Sequence, residues 1–264
     1  MIESPRRAAE HLAAELSVHQ ALNPFPAEFA PQGLDDAYAI QGELVAMRRA
    51  NGREVGGYKL AYTTATMQAR SGLREPALGY LFSDELRASP ARLKAADYVH
   101  LGLECEMAVR LGQDLPAAGA PYTRETVAEA VSAVMASIEV IDIRAAPDID
   151  DATKAMLGVS ANIWNAGVVL GAASETWRDI DLTTARGTVH FNGELVGEGL
   201  GGDVMGHPLE PLAWLANALA KRGEPLSAGM IVITGSLVAP KFLSPGDHAI
   251  VSVDGLGDAV LDVE

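Results

Sequence analysis

The chain has few cysteines, few aromatic residues and no long uninterrupted apolar segment. Cys105 is its only cysteine, so no disulfide can form within one chain, as is usual in a reducing compartment. No apolar stretch approaches the roughly 20 residues that span a bilayer. Residues 1–22 carry Glu10 and Glu15 where a signal peptide would have its apolar centre. These absences predict a cytoplasmic protein without a membrane partner.

Basic residues are also scarce. The chain has 20 lysines and arginines against 35 aspartates and glutamates, which gives a net charge of −15. Proteins that bind nucleic acid need clustered positive charge to hold the phosphates, so we expect no nucleic-acid partner. With 264 residues, 48% of them hydrophobic, the chain is long enough for one large domain, with or without a small appendage.

Two predicted helices precede a region of short strands. The first follows Ser4-Pro5 and extends to about His19, and the second covers about residues 35–49. From Val55 onward, strands and helices do not alternate regularly, which disfavours a doubly wound parallel sheet. We therefore predict an α+β protein, with an N-terminal helical section at residues 1–54 and a mixed-β domain at residues 55–264. The other predicted elements are strands at 55–62, 101–110, 137–143, 168–170, 186–195 and 230–234, helices at 67–72, 123–136 and 208–221, and a hairpin at 248–263.

Two glutamates share one face of the strand predicted at residues 101–110. Alternate side chains of a strand point to the same side, so Glu104 and Glu106 point together while the apolar residues around them face the core. Two adjacent carboxylates repel each other unless a positive group lies between them. Taken alone, the pair is more typical of a solvated strand face than of a binding site.

A third carboxylate, Glu139, lies within an apolar strand, where an unpaired charge is costly. It needs a basic partner such as Arg144, a proton or a metal ion, and the residues alone do not favour an ion pair over a metal. Three carboxylates would form a suitable ligand set for Mg²⁺ or Mn²⁺, which prefer oxygen ligands.

Two segments next to glycines contain further candidates. Lys59 follows Gly56-Gly57 in a strand, where a lysine close to a metal ion could act as an acid and base, although a surface lysine is the more common outcome. Gly206 and His207 precede the helix predicted at 208–221. The start of that helix could bind the carboxylate of a ligand, or the segment could be a tight loop without a ligand.

Six short segments occur along the chain in an order that is characteristic of a known family. They are Asp36-Ala37-Tyr38-Ala39-Ile40-Gln41, Gly57-Tyr58-Lys59, Glu104-x-Glu106, Glu139, Gly206-His207-Pro208 and Thr234-Gly235-Ser236. Together they resemble the 2-keto-4-pentenoate hydratase and decarboxylase branch of the fumarylacetoacetate hydrolase superfamily, over nearly the whole chain. The resemblance implies a mixed β-sandwich roll with peripheral helices and a cytosolic homo-oligomer. It also implies that Glu104, Glu106 and Glu139 hold Mg²⁺ or Mn²⁺ and that Lys59 lies in the active site.

The resemblance further implies a small 2-oxo acid as substrate, with Gly206, His207 and Ser236 at its binding site. The expected reaction is the addition of water to a 2-hydroxy-2,4-dienoate, which gives a 4-hydroxy-2-oxo acid. Many hydratases of the family have an aspartate where this chain has Ala77, in Pro76-Ala77-Leu78-Gly79, and the decarboxylases tend to be apolar there. Decarboxylation of a 2-oxo-3-enedioate is therefore the first alternative. Hydrolysis of a C–C bond in an acylpyruvate and a non-catalytic family member follow it.

Overall fold

The computed structural model of the chain describes residues 3–264, so the first two residues of the predicted N-terminal section lie outside it. Besides short 3₁₀ turns, these residues form six α-helices and twelve strands. The helices are α1 (Pro5–Leu16), α2 (Leu34–Ala50), α3 (Ala65–Ser71), α4 (Arg124–Ala130), α5 (Asp151–Ser160) and α6 (Glu210–Lys221). The strands are β1 (Val55–Ala61), β2 (Ala77–Phe82), β3 (Leu86–Ala88), β4 (Ala91–Leu93), β5 (Leu101–Leu111), β6 (Val131–Asp142), β7 (Asn165–Leu170), β8 (Arg186–Phe191), β9 (Glu194–Leu200), β10 (Ile231–Phe242), β11 (His248–Val253) and β12 (Gly257–Val263).

The strands form two sheets that face each other. The large sheet has seven strands in the order β2-β1-β10-β5-β6-β7-β3, and the small sheet has five in the order β4-β12-β11-β8-β9. The large sheet is mixed, because β1 and β10 are parallel while β5 is antiparallel to both of its neighbours. Cys105 and Met107 of β5 share one buried cluster with Val189 and Val251 of the small sheet. This sandwich with helices outside it confirms the predicted α+β class.

Several predicted elements differ from the structure in their extent; the strand predicted at 230–234, for example, continues to Phe242 as β10. The helix predicted at 123–136 ends at Ala130, and the residues after it begin β6. Alanine favours helices locally, but here residues 131–136 pair with the central strand β5, and this pairing decides their conformation. The strand predicted at 186–195 is a hairpin, because Asn192 and Gly193 both have positive φ and join β8 to β9. Asn-Gly is a typical signal for such a turn.

The N-terminal helices pack on the rest of the chain through α5. Leu12 of α1 and Ile40 of α2 belong to one buried cluster with Leu157 of α5 and with Trp164. That residues 1–54 form a section of their own stays a prediction. Among the described residues, no helix is both long enough and apolar enough to cross a membrane.

A buried arginine fastens the end of α1. Arg144, only 9% exposed, follows β6 in the chain. Its guanidinium donates hydrogen bonds to the carbonyl oxygens of Glu15, Leu16, Val18 and Gln20. The last carbonyls of a helix lack partners within the helix, and a cation at that end also interacts favourably with the helix dipole. Arg144 therefore anchors α1.

Candidate metal and substrate site

The three candidate glutamates meet on two neighbouring strands. Glu104 of β5 lies directly opposite Glu139 of β6 in the antiparallel ladder, and Glu106 follows two residues along β5 on the same face. One carboxylate oxygen from each residue lies within 4.8 Å of the other two. Cys105, between the two β5 glutamates, faces the small sheet, since a Cβ added at Gly187 of β8 would lie 2.9 Å from its Sγ. The carboxylates therefore converge on the outer face of the large sheet.

These carboxylates are largely removed from water. Glu106 and Glu139 are fully buried, and Glu104 is partly exposed. Burial, followed by the charge of Glu139, raises the pKa of Glu104 to about 8. Burial, with the charges of Glu139 and Glu104 adding to it, also raises the pKa of Glu106 well above its ordinary value. Near neutral pH the cluster by itself therefore retains protons, and a cation that binds there must displace them.

Two buried oxygens of the cluster have no hydrogen-bond partner among residues 3–264, namely Oε1 of Glu106 and Oε2 of Glu139. The other oxygen of Glu106 accepts from the N–H of Gly235 at 2.7 Å, and the other oxygen of Glu139 accepts from Lys59 Nζ. Buried acceptors without a partner are rare and costly. Once the protons are displaced, the three carboxylates and the ammonium of Lys59 carry a net charge of −2, which a divalent cation would balance. The residues present thus fit an oxygen-liganded divalent cation.

Lys59 of β1 reaches the same place, although only 2% of its surface is exposed. Its Nζ forms an ion pair with Glu139 and donates a hydrogen bond of 2.9 Å to the carbonyl oxygen of Ile163. Its partner across the ladder is Gly79 of β2, where an added Cβ would lie 2.9 Å from Lys59 Cγ. The missing side chain at Gly79 leaves room for the lysine stem. Lys59 is thus a buried, ion-paired ammonium, and it supplies the basic partner of Glu139 for which Arg144 was a candidate.

Ser236 lies beside the cluster on β10. It is the ladder partner of Glu106. Its hydroxyl lies 2.6 Å from the carbonyl oxygen of Val238 and 3.3 Å from that of Cys105, so it donates to the main chain. A role of Ser236 in binding substrate stays a prediction.

Gly206 and His207 lie before α6, as expected. Gly206 has a φ of 83°, and Nδ1 of the half-buried His207 accepts a hydrogen bond of 3.0 Å from the N–H of Leu209. Burial, followed by the charge of Arg124, lowers the pKa of His207. In the part of the chain that the structure describes, no hydrogen bond links His207 to the glutamates. A role of Gly206 and His207 at the substrate site also stays a prediction.

Two residues that hold the cluster in place were not assigned a role from the sequence. Gly235 donates its N–H to Glu106 at a φ of 119°, and a Cβ there would lie 2.5 Å from Oγ1 of Thr63. The sequence feature that could have pointed to Gly235 is its place between Thr234 and Ser236, in one of the six short segments. Ile163, whose carbonyl accepts from Lys59, has a φ of 54°, and no local pattern predicts a β-branched residue in that conformation.

Ala77 lies on the strand that borders Lys59. Its ladder partner is Ala61, two residues beyond Lys59 on β1. Ala77 is fully buried and belongs to an apolar cluster with Val159 and Ile163. The site therefore has an apolar wall at the position where an aspartate was expected for a hydratase.

Comparison with known proteins decides the family. The family model described as fumarylacetoacetate (FAA) hydrolase C-terminal matches residues 56–264. The chain belongs to the fumarylacetoacetate hydrolase family. This confirms the family predicted from the six short segments.

Relatives in this family include a decarboxylase and a hydratase, the first two activities considered from the sequence. A 4-oxalocrotonate decarboxylase of Pseudomonas putida is 32% identical over 254 residues, which are 94% of this chain and 92% of the relative. The 2-keto-4-pentenoate hydratase 1 of Dechloromonas aromatica (strain RCB) is 32% identical over 259 residues, 97% and 95% of the two chains. A solved structure of 4-oxalocrotonate decarboxylase from Pseudomonas putida G7, complexed with magnesium and adipate, matches with a TM-score of 0.90 at 29% identity, over 100% of this chain and 98% of that one.

Proposed function

We propose that this chain is a divalent-metal-dependent hydratase that adds water to a 2-hydroxy-2,4-dienoate and forms a 4-hydroxy-2-oxo acid. The proposal is carried by the convergence of Glu104, Glu106 and Glu139 beside Lys59, with two buried carboxylate oxygens that no described residue satisfies. The three glutamates would hold Mg²⁺ or Mn²⁺. When bound, the cation supplies positive charge that stabilises the enolate of a 2-oxo acid.

Lys59 carries the proton transfers in this proposal. Converting the dienol into a ketone requires a proton at carbon, and the addition of water moves a second proton. An ammonium has three N–H donors, and two of those of Lys59 are directed at Glu139 and at the carbonyl of Ile163. The third is left for a substrate on the outer face of the sheet. A group placed in this way contributes roughly 10²–10⁴-fold to a proton-transfer step.

We assign substrate binding to Ser236, Gly206 and His207. Ser236 supports this assignment by its place opposite Glu106 in the ladder. Gly206 and His207 support it less directly, because they precede α6 and the amino end of a helix favours a carboxylate.

Decarboxylation of a 2-oxo-3-enedioate is the second candidate, and one observation favours it. Ala77 and its neighbours form an apolar wall beside Lys59, so this wall offers no carboxyl group to orient water. Loss of CO₂ from a distal carboxylate needs the same metal and the same lysine, but it needs no such group. Hydrolysis of an acylpyruvate and a non-catalytic role rank below these two candidates.

We further propose that the protein works as a homo-oligomer in the cytoplasm, without nucleic-acid or membrane partners. Large apolar side chains that remain exposed support assembly, among them Leu195 and Leu200 on the edge strand β9 and Phe242 on β10. Light scattering is the test. A particle of 27.7 kDa, the mass of one chain, at micromolar concentration would contradict assembly.

A substrate panel tests the reaction. The purified protein is assayed with 2-hydroxy-2,4-dienoates and with 2-oxo-3-enedioates, each with Mg²⁺ and after treatment with a chelator. Loss of ultraviolet absorbance fits either reaction, so the products and any released CO₂ are identified directly. A 4-hydroxy-2-oxo acid formed only with Mg²⁺ supports the hydratase. CO₂ from an enedioate, with no hydration of any dienoate, establishes the second candidate instead.

A further inference from the structure

The segment that holds Lys59 has an unusual backbone. Asn162, Ile163 and Trp164 follow α5 with φ values of 63°, 54° and 57°, so three consecutive residues are left-handed and none is glycine. Asparagine tolerates this conformation better than most residues, whereas for a β-branched residue such as Ile163 it is an exception. Such strain persists only where the surroundings impose it, and it often occurs at functional sites.

The side chain of Asn162 connects this segment to the large sheet. Asn162 is fully buried. Its Nδ2 donates to the carbonyl oxygen of Tyr80 at 2.8 Å, and its Oδ1 accepts from the N–H of the same residue at 2.7 Å. Because β2 is an edge strand of the sheet, these are the main-chain groups that a further strand would otherwise pair. The side-chain amide of Asn162 thus forms the two hydrogen bonds that a residue of a neighbouring strand would otherwise form with Tyr80.

The same connection determines where the carbonyl of Ile163 points. The peptide that links Ile163 to Trp164, one residue beyond Asn162, presents that carbonyl to Lys59 Nζ at 2.9 Å. The carbonyl of Asn162 itself lies 3.2 Å from where a Cβ of Gly79 would be, and the stem of Lys59 passes the same spot. Asn162 and Lys59 are therefore linked through a single residue, Ile163.

We propose that Asn162 is a positioning residue for Lys59. By holding the left-handed segment against Tyr80, it keeps the Ile163 carbonyl where it directs the ammonium beside Glu139 and leaves one N–H for substrate. The inference rests on the proposed function, because it assigns Asn162 a role only if Lys59 transfers protons. Without the amide, Lys59 would keep its ion pair with Glu139 but lose its second fixed contact.

Two variants of the full chain loaded with Mg²⁺, Asn162→Ala and Asn162→Gly, test the proposal. We measure kcat and KM with the substrate found in the panel, and the exchange of C3 hydrogens of 2-oxopentanoate in D₂O, which requires only proton transfer. For Asn162→Ala we expect kcat and the exchange rate to fall roughly 10–100-fold, with KM and the Kd for Mg²⁺ changed less than about threefold. Glycine loses the same two hydrogen bonds but adopts positive φ freely, so Asn162→Gly should keep clearly more activity than Asn162→Ala.

A second side chain that bonds to the same edge strand, that of Tyr38 on α2, supplies the matched control. The hydroxyl of Tyr38 accepts from the N–H of Leu78 at 3.0 Å, and Tyr38→Phe removes this bond without changing a contact of Lys59. We expect Tyr38→Phe to keep wild-type kcat and exchange. If it loses as much as Asn162→Ala, the effect belongs to the strand and the proposal fails.

The remaining outcomes are also decisive. Folded Asn162 variants with wild-type kcat and exchange overturn the proposal, as does a loss that falls equally on KM or on Mg²⁺ affinity. If Asn162→Ala does not fold, Asn162→Gly decides alone. A wild-type protein that neither turns over a panel substrate nor exchanges C3 hydrogens refutes the proposed function, and the role of Asn162 falls with it. An active wild type with unaffected variants refutes the role of Asn162 only.

Discussion

Two groups of buried charges in this protein are satisfied in different ways. Arg144 donates to four main-chain carbonyls at and just beyond the end of α1, so its hydrogen-bond partners belong to the chain itself. The glutamate cluster has one ammonium for three carboxylates, two orphan oxygens and raised carboxyl pKa values. A buried charge whose partners all belong to the chain serves the fold. A buried cluster whose charges and hydrogen-bond acceptors are not all matched by the chain indicates that a ligand binds there.

Among the changes considered, Glu106→Gln in the glutamate cluster should have the largest effect. Glutamine keeps the shape and can still accept from Gly235, but it removes a charge that the cation needs. We expect kcat/KM to fall at least about 10³-fold and Mg²⁺ affinity to fall at least about 10²-fold. The metal-free variant should unfold at the same or a higher temperature, because a buried, unsatisfied acid has gone.

Calorimetric titration with Mg²⁺ and thermal unfolding measure these effects. Glu198→Gln, which removes an exposed carboxylate paired with Arg186, is the control and should change neither. A Glu106→Gln protein that binds Mg²⁺ as wild type does would remove Glu106 from the ligand set.

Lys59→Met should separate proton transfer from metal binding within the same cluster. Methionine keeps most of the bulk while it removes the proton carrier. We expect kcat to fall roughly 10²–10⁴-fold with the Kd for Mg²⁺ little changed. Steady-state kinetics and titration with Mg²⁺ give the two numbers, and Lys221→Met, at an exposed lysine of α6, should leave both unchanged. Full activity of Lys59→Met would make Lys59 a structural residue.

Arg144→Met should produce the opposite pattern. Four carbonyls lose a buried donor, so we expect the free energy of unfolding to fall by about 3 kcal/mol. The folded protein should keep its kcat and its Mg²⁺ affinity, because α1 lies outside the site. Urea unfolding followed by circular dichroism measures the first quantity. A selective loss of kcat would show that the two regions are coupled and would end the contrast between them.

The pH dependence of the metal-free protein should show the smallest effect. The pKa of Glu104 is higher in the folded protein, at about 8, than its ordinary value of 4.5. The folded state therefore holds more protons than the unfolded state between these values, and stability falls as pH rises through this window. We expect Tm to fall on the order of 5 °C from pH 5 to pH 8.

Mg²⁺ should restore more stability at pH 8 than at pH 5, because fewer protons must then be displaced. Other groups also titrate, so the comparison is with Glu104→Gln, whose Tm should depend less on pH. If Tm changes with pH in the same way for the metal-free wild type and metal-free Glu104→Gln, the raised pKa of Glu104 is contradicted.

Much of the fold and part of the site follow from local patterns. Period-two alternation identified β5 and placed Glu104 and Glu106 on one face, and helix start and end signals identified α2 and α6 within one or two residues. The carboxylate in an apolar strand also indicated correctly that Glu139 has a partner. These features depend on neighbours in the sequence, which is why the sequence alone reveals them.

Features that depend on distant partners were not predictable in the same way. The alanines near residue 133 favour a helix, but Ala133 pairs with Arg110 in a central strand. The left-handed conformation of Ile163 is imposed by Asn162 and Tyr80, far apart in the sequence. Likewise, nothing local to Glu139 shows that Lys59, 80 residues away, is its partner and Arg144 is not.

The alternation along β5 ties the correctness of folding to the presence of a working site. Glu104 and Glu106 face outward only because Cys105 and Met107 face the small sheet. A slip of one residue against β6 would exchange the two sets, sending two acids into the sandwich and its apolar residues outward. A chain with that error would be both inactive and unstable. Cellular quality control, which recognises unstable chains, would therefore also remove the inactive ones.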